Sequence, residues 1–253
     1  MEPSLGLIVG VAALAGFVQG LSGFGFSLVA LSIWAWTLDP KLAAVLAVAG
    51  GFTGQVIAAV TLRRGFEWAR LMPFVAGGLL GLPLGLTLLP HLDPVWFKAV
   101  IGGVLFVWCP LMLASRRLPH VQLGGRLADG VAGAMGGVGG ALGGLTGAIP
   151  TLWCTLRGYP RDIQRSIIQN FNLAFLGLTL LGYLATGVVQ SSMALPIAVT
   201  APAILITSLV GARVYVGISD LAFHRIVLTL LTASGIAMLA HSLPQLLTRV
   251  AAA

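Results

Sequence analysis

Charged side chains are nearly missing from this sequence. Lys and Arg number 14 and Asp and Glu 7, so 8% of the 253 residues carry formal charge, against about 25% in a soluble domain. A surface so poor in charge does not stay in water, which excludes a soluble enzyme, a disordered chain and a nucleic-acid binder. Cysteine is as scarce. Cys109 and Cys154 are the only two; both sit inside apolar runs without His or acidic neighbours and read as small apolar residues. No metal site, disulfide or cofactor is expected. Acids are absent from the middle of every apolar run. Glu67, Asp129, Asp162 and Asp220 stand at one set of edges, and Glu2, Asp39 and Asp93 at the other, so no mid-membrane carboxylate is expected to relay protons. No Lys or Arg precedes Lys41. The first apolar run therefore lacks the positive flank of a secretory signal and is expected to stay in the mature protein.

What remains is apolar residue, at 58%, and 34 glycines. The apolar runs are 5–38, 42–62, 69–89, 95–114, 127–156, 163–185, 193–216 and 221–243. Unbroken runs of this length exclude an outer-membrane barrel, whose strands alternate in segments of about ten residues. The reading is an all-α polytopic membrane protein. Six runs match the ~20 residues of a spanning helix; 5–38 and 127–156 are too long for one. Both break midway on similar residues, Gly20-Leu21-Ser22-Gly23-Phe24-Gly25 and Gly144-Leu145-Thr146-Gly147-Ala148-Ile149-Pro150. Glycine permits backbone angles closed to other residues, and proline suits the first turn of a new helix. Each long run therefore reads as two half-helices.

Charge decides how those halves lie. If each long run crosses the membrane once, Lys and Arg divide seven and seven. If each turns back as a V-shaped re-entrant hairpin, one side receives Arg63, Arg64, Arg70, Arg116, Arg117, Arg126, Arg157, Arg161, Arg165, Arg213 and Arg225, and the other keeps Lys41, Lys98 and Arg249. Only the second arrangement obeys the positive-inside rule. Residues 1–115 then form a first repeat, 116–126 a cytoplasmic linker and 127–253 a second repeat, each one hairpin plus three spans. Three spans is an odd number, so the repeats are expected to be inverted relative to one another, with both termini outside the cytoplasmic membrane. Aligned landmarks support the duplication: Pro40-Lys41 with Pro160-Arg161, Pro73 with Pro196, and Phe97-Lys98 with Phe223-His224.

This architecture places two broken helices near the midplane, as in secondary transporters. A helix start exposes unpaired N–H groups and a partial positive charge. Two starts facing one pocket bind a small anionic substrate without a buried cation. The expected substrate-binding residues are Gln19, Ser22, Gly23, Phe24 and Gly25 at the first break and Thr146, Gly147 and Ala148 at the second. Thr53, Gln55, Gln169, Asn170 and Asn172 supply polar groups from flanking spans, since amides in lipid are costly and face the protein interior. Arg157, Arg161 and Arg165 are expected to concentrate anions at the cytoplasmic mouth. An inside-negative potential drives an anion outward without a coupling ion, by about 2.3 kcal/mol per charge per 100 mV. Lipid is an expected partner. Gly77, Gly81 and Gly85, with Gly136, Gly140 and Gly144, read as close-packing stripes that also permit a homodimer.

Two other readings compete. Gly20-Leu21-Ser22-Gly23 spells the G-x-S-G of rhomboid intramembrane serine proteases, with Ser22 as nucleophile. That chemistry needs a His base at membrane depth, and His91, His120, His224 and His241 all fall in loops or at span ends. A non-transporting membrane assembly subunit is the other.

The Gly-rich first break, Phe24-Gly25-Phe26-Ser27, the Asp39-Pro40-Lys41 turn and Gly143-Gly144-Leu145-Thr146-Gly147 before Pro150 resemble the TauE/SafE family of membrane permeases, also called sulfite exporters. The resemblance covers nearly the whole chain. It implies export of sulfur oxyanions, sulfite or organosulfonates such as sulfoacetate, across the bacterial cytoplasmic membrane. The first break carries Phe24-Gly25-Phe26 where the second carries Ala148-Ile149-Pro150, so the two copies are expected to touch different parts of a ligand.

Overall fold

The structure is a computed structural model. It describes residues 4–22, 25–61, 65–115, 120–121, 124–213 and 220–251, the side chains at 22, 61, 220–224 and 250 excepted. Among these the chain is all-helical. The first half holds α1 (Leu5–Ser22), α2 (Phe26–Thr37), α3 (Pro40–Thr61), α4 (Trp68–Leu88) and α5 (Pro94–Ala114). The second holds α6 (Gly125–Ala141), α7 (Ala148–Leu156), α8 (Arg161–Ala185), α9 (Ala194–Arg213) and α10 (Asp220–Ala251). Six of them, α3, α4, α5, α8, α9 and α10, are long and apolar enough to cross a membrane. The chain is a multi-pass membrane protein.

Local chemistry sets the helix starts. The Asp93 carboxylate accepts the N–H groups of Val95 and Trp96 at 2.8 and 3.0 Å ahead of Pro94 in the first turn of α5. Asp39 accepts the Lys41 N–H at 2.9 Å as α3 begins on Pro40. Prolines in these positions forgo a hydrogen bond that the helix start does not need. One boundary differs from the sequence reading. The last span was expected to end at residue 243, but α10 runs through Pro244 to Ala251, with its apolar stretch at Arg225–Arg249. The helix absorbs the N–H lost at Pro244 as a local defect, which membrane helices tolerate.

Both long runs fold into paired arms: α1 packs along α2, and α6 along α7. The arms then cross over. α1 seats on α9 of the second half and α6 on α4 of the first, while α3 packs on α8 and α5 on α10. Exchanging the two halves leaves this set of partners unchanged. Glycines make the seats. A side chain at Gly20 would run into the backbone of Ser208 and Ala212; one at Gly77, Gly81 or Gly133 would run into backbone across the α4–α6 contact. The Gly77/Gly81/Gly85 stripe is thus consumed inside the chain.

The core is dominated by Phe26, Leu31, Trp34, Phe97 and Trp108, with a second cluster of Phe74, Phe171 and Phe175 where α4, α6 and α8 meet. Large apolar side chains such as Leu80 and Leu230 stand exposed. Such a surface suits hydrocarbon as its solvent.

Candidate functional site

The hairpin tips meet. Gly25 carries φ 96° and Gly144 φ 75°, backbone turns that other residues reach only with strain. A side chain at Gly144 would strike Ser27, and one at Gly143 would strike Leu31, both on α2. Between the tips lies a cavity of about 40 Å³. That is room for about three water-sized positions, the scale of a compact oxyanion. No charged side chain lines it among the described residues.

The two helix starts at this cavity differ. At the first, the Gln19 side chain reaches across the turn. Its Oε1 accepts the Phe26 N–H at 3.2 Å, and its Nε2 donates to the Gly51 carbonyl at 3.4 Å. The Phe26 donor of α2 is therefore already satisfied. At the second, no side chain caps α7. The Ala148 N–H donates to the Leu145 carbonyl at 3.2 Å. The N–H groups of Thr146 and Gly147 make no hydrogen bond among the described residues, and both residues line the cavity. The Thr146 hydroxyl donates to Asn172 Oδ1 at 2.8 Å. That bond fixes the amide of Asn172, whose Nδ2 lies against Gly147. Trp108, which also lines the cavity, donates its indole N–H to the Ala148 carbonyl at 2.5 Å and holds the first turn of α7. Thr146 is 1% exposed and Asn172 6%.

Of the residues expected from sequence, the cavity gathers Gln19, Gly25, Gln55, Thr146, Gly147, Ala148 and Asn172. Gly23 and Phe24, and the side chain of Ser22, lie outside the described residues. Thr53 turns back on its own helix and donates to the Ala49 carbonyl at 2.9 Å. Asn170 donates to the Gly65 carbonyl at 3.0 Å, beside Ser166 on the same acceptor at 2.7 Å. Gln169 is buried but does not line the cavity. Arg161 and Arg165 are exposed. Arg157 is not: its Nε stands 3.5 Å from Asp129 Oδ1, in an ion pair whose side chains are 15% and 4% exposed. Sequence reasoning missed Phe26, Ser27, Gly51, Trp108 and Thr151. Ser27 donates its hydroxyl proton to the Ala47 carbonyl at 3.2 Å. Of the histidines, His91 meets the Thr87 carbonyl at 2.8 Å, and His241 packs on Trp36 with ring centroids 5.3 Å apart. His91 lies just past the end of α4, whereas His241, expected at a span end, lies inside α10, ten residues before Ala251, because that helix runs on through Pro244.

What this arrangement does chemically follows from its charges. Backbone N–H groups at the start of α7, the Asn172 amide and the helix dipole all present partial positive charge to a space with no charged side chain in its wall among the described residues. Such a site favours an anion yet holds it less tightly than a buried cation would in a low-dielectric interior. A family model described as Sulfite exporter TauE/SafE matches residues 8–238. No curated protein matches the chain, and no solved structure does.

Proposed function

The chain belongs to the sulfite exporter TauE/SafE family, and from that membership we propose that it carries a sulfur oxyanion, sulfite or an organosulfonate, outward across the cytoplasmic membrane. The anion binds in the cavity between the hairpin tips. The observation that carries this reading is the Thr146 and Gly147 N–H groups, which have no hydrogen-bond partner among the described residues, beside an Asn172 amide held by Thr146, in a small cavity that no charged side chain among those residues lines. Gln55 and the Gln19 amide complete the polar wall. Ser22, Gly23 and Phe24 belong to the first tip in this reading. The two halves lie inverted, with both termini outside. The paired arms support that topology, because a run that crossed once would lay its halves end to end. Arg161 and Arg165 gather anions at the inner mouth; replacing both with Gln should slow uptake from that face severalfold at low salt and little at high salt. Alternating access comes from the hairpins rocking against the spans.

The test is binding and flux on one preparation. Sulfite, sulfate, thiosulfate, sulfoacetate and an unrelated carboxylate are compared for thermal stabilisation of the purified protein, since a ligand for the folded state raises its stability. The stabilising anion is then loaded into proteoliposomes. Export should accelerate when the interior is made negative. No stabilisation by any sulfur oxyanion, or flux indifferent to potential, overturns the reading.

A further inference from the structure

Away from the cavity, at the base of the second hairpin, Asp129 is buried on α6 at 3% exposure. A carboxylate there requires partners, and α7 brings them. Trp153 donates its indole N–H to Oδ1 at 2.7 Å, Arg157 Nε stands 3.5 Å from the same oxygen, and the Tyr159 hydroxyl donates to Oδ2 at 3.4 Å. The Arg157 guanidinium lies over the rings of Trp153 and Tyr159, at 5.9 and 5.8 Å, and Arg70 of α4 lies 5.2 Å over Tyr159. Gln164 of α8 donates to the Tyr159 carbonyl at 2.9 Å. One carboxylate on α6 thus fixes three consecutive features around the end of α7. That helix has nine residues, about 13 Å of rigid rod. Its other end is the Gly147–Ala148 wall of the cavity.

We propose that Asp129, with Arg157, is a clasp that sets the angle between the arms of the second hairpin and so positions the start of α7 for anion binding. Asp129 is a positioning residue and touches no ligand. The inference rests on the oxyanion reading for its affinity readout but not for its conformational one. Arg157 accordingly belongs to the clasp and leaves steering to Arg161 and Arg165. The geometry also explains why the arm carrying this end of the site is so short. A nine-residue helix has few turns of packing to hold its direction, and the directional contacts at its base supply that hold.

Cys154 is the native reporter. It is fully buried on α7 within the clasp, and Cys109 is the other cysteine, so a Cys109→Ala background isolates it. In proteoliposomes, N-ethylmaleimide should label Cys154 at least tenfold faster in Asp129→Asn than in the parent. Sulfite should bind at least tenfold more weakly to Asp129→Asn, Arg157→Gln and the double variant. Each single variant leaves one charge of the buried pair without the other and should melt about 5 °C or more below the parent. The double variant removes both and should recover most of that loss while keeping the weak binding and fast labelling. A double variant that regains parental sulfite affinity along with its stability reduces the pair to a structural contact and overturns the proposal. So does a labelling rate unmoved by Asp129→Asn. If the parent itself binds no sulfite, the oxyanion reading fails, and labelling alone decides the clasp.

Discussion

The two hairpins occupy matching places in the fold and are fastened by different physics. The first is joined by apolar packing: Ile8, Val11 and Ala15 on α1 and Phe26, Leu31 and Trp34 on α2 all belong to one buried hydrophobic cluster. Its large indole is not even satisfied, for Trp34 Nε1 is buried with no hydrogen-bond partner among the described residues. The second is joined by a carboxylate that collects an indole, a phenol and a guanidinium. Apolar packing is non-directional, and the hydrogen bond from the Phe26 N–H to Gln19 joins these arms only at the tip. Directional hydrogen bonds to a buried charge cannot slide. The tips differ in the same sense: the first is capped by its own Gln19, and the second leaves donors for a ligand. The contrast teaches that a duplicated architecture need not carry duplicated work. In the proposed reading, the second hairpin presents its donors in a set geometry, and the first closes the other side of the cavity with apolar contacts.

Four measurements test that contrast, and the largest effect concerns what the hairpins share. Gly20→Val on α1 and Gly133→Val on α6 each force a side chain into facing backbone. Each should cost about 3 kcal/mol, read as lost monodisperse protein and a lower melting temperature. Unequal losses would show that the two seats are not equivalent.

The fastening itself comes next. Trp153→Phe removes a hydrogen bond to a charged group and should destabilise by about 2 kcal/mol. Trp34→Phe removes an unpaired buried donor, so its thermal midpoint should stay level or rise. Equal drops would erase the difference between hairpins. At the tips, Thr146→Val releases Asn172 and should weaken sulfite binding about tenfold, the equivalent of about 1.4 kcal/mol. Ser27→Ala, whose hydroxyl proton is already given to Ala47, should stay within about threefold by calorimetry; a larger loss there would move the anion toward the first tip.

The smallest effect lies outside both hairpins. The Trp96 N–H, the Arg249 side chain and the Val95 N–H hold the half-buried Asp93 carboxyl below its ordinary 3.8. A lowered folded pKa means the contribution is present above 3.8 and is lost as pH falls through the folded value. Arg249→Gln should therefore raise the Asp93 pKa toward 3.8, seen by NMR titration, and remove a small part of the stability at neutral pH, with variant and parent converging as pH falls through the folded value. An unmoved Asp93 titration would contradict the assignment.

Much of this was legible in sequence, for reasons that can be named. Span number follows from hydropathy, because lipid demands long apolar helices. The two breaks follow from glycine and proline, which change backbone freedom locally. The polar wall was legible only in part, and helical geometry explains the misses. Thr53 and Gln55 are two residues apart, about 200° around a helix, so they cannot face one cavity together; Gln55 does, and Thr53 bonds its own backbone. Asn170 and Asn172 divide in the same way. Ser27 and Trp108 sit in apolar runs where nothing but the tertiary arrangement marks one face as lining a site. Asp129 read only as a charge at the edge of a run. Its burial depends on partners 24 to 30 residues later, which periodicity does not reveal.

The crossed seating of the first arms has a consequence for biogenesis. Ser208 of α9 donates to the Gly16 carbonyl of α1 across a separation of 192 residues. The ribosome therefore releases α1 long before its resting place exists. Until α9 arrives, the glycine face of α1 must wait against lipid or a chaperone. Contacts so distant along the chain close late, so the seat of α1 is completed only after the second half has been made.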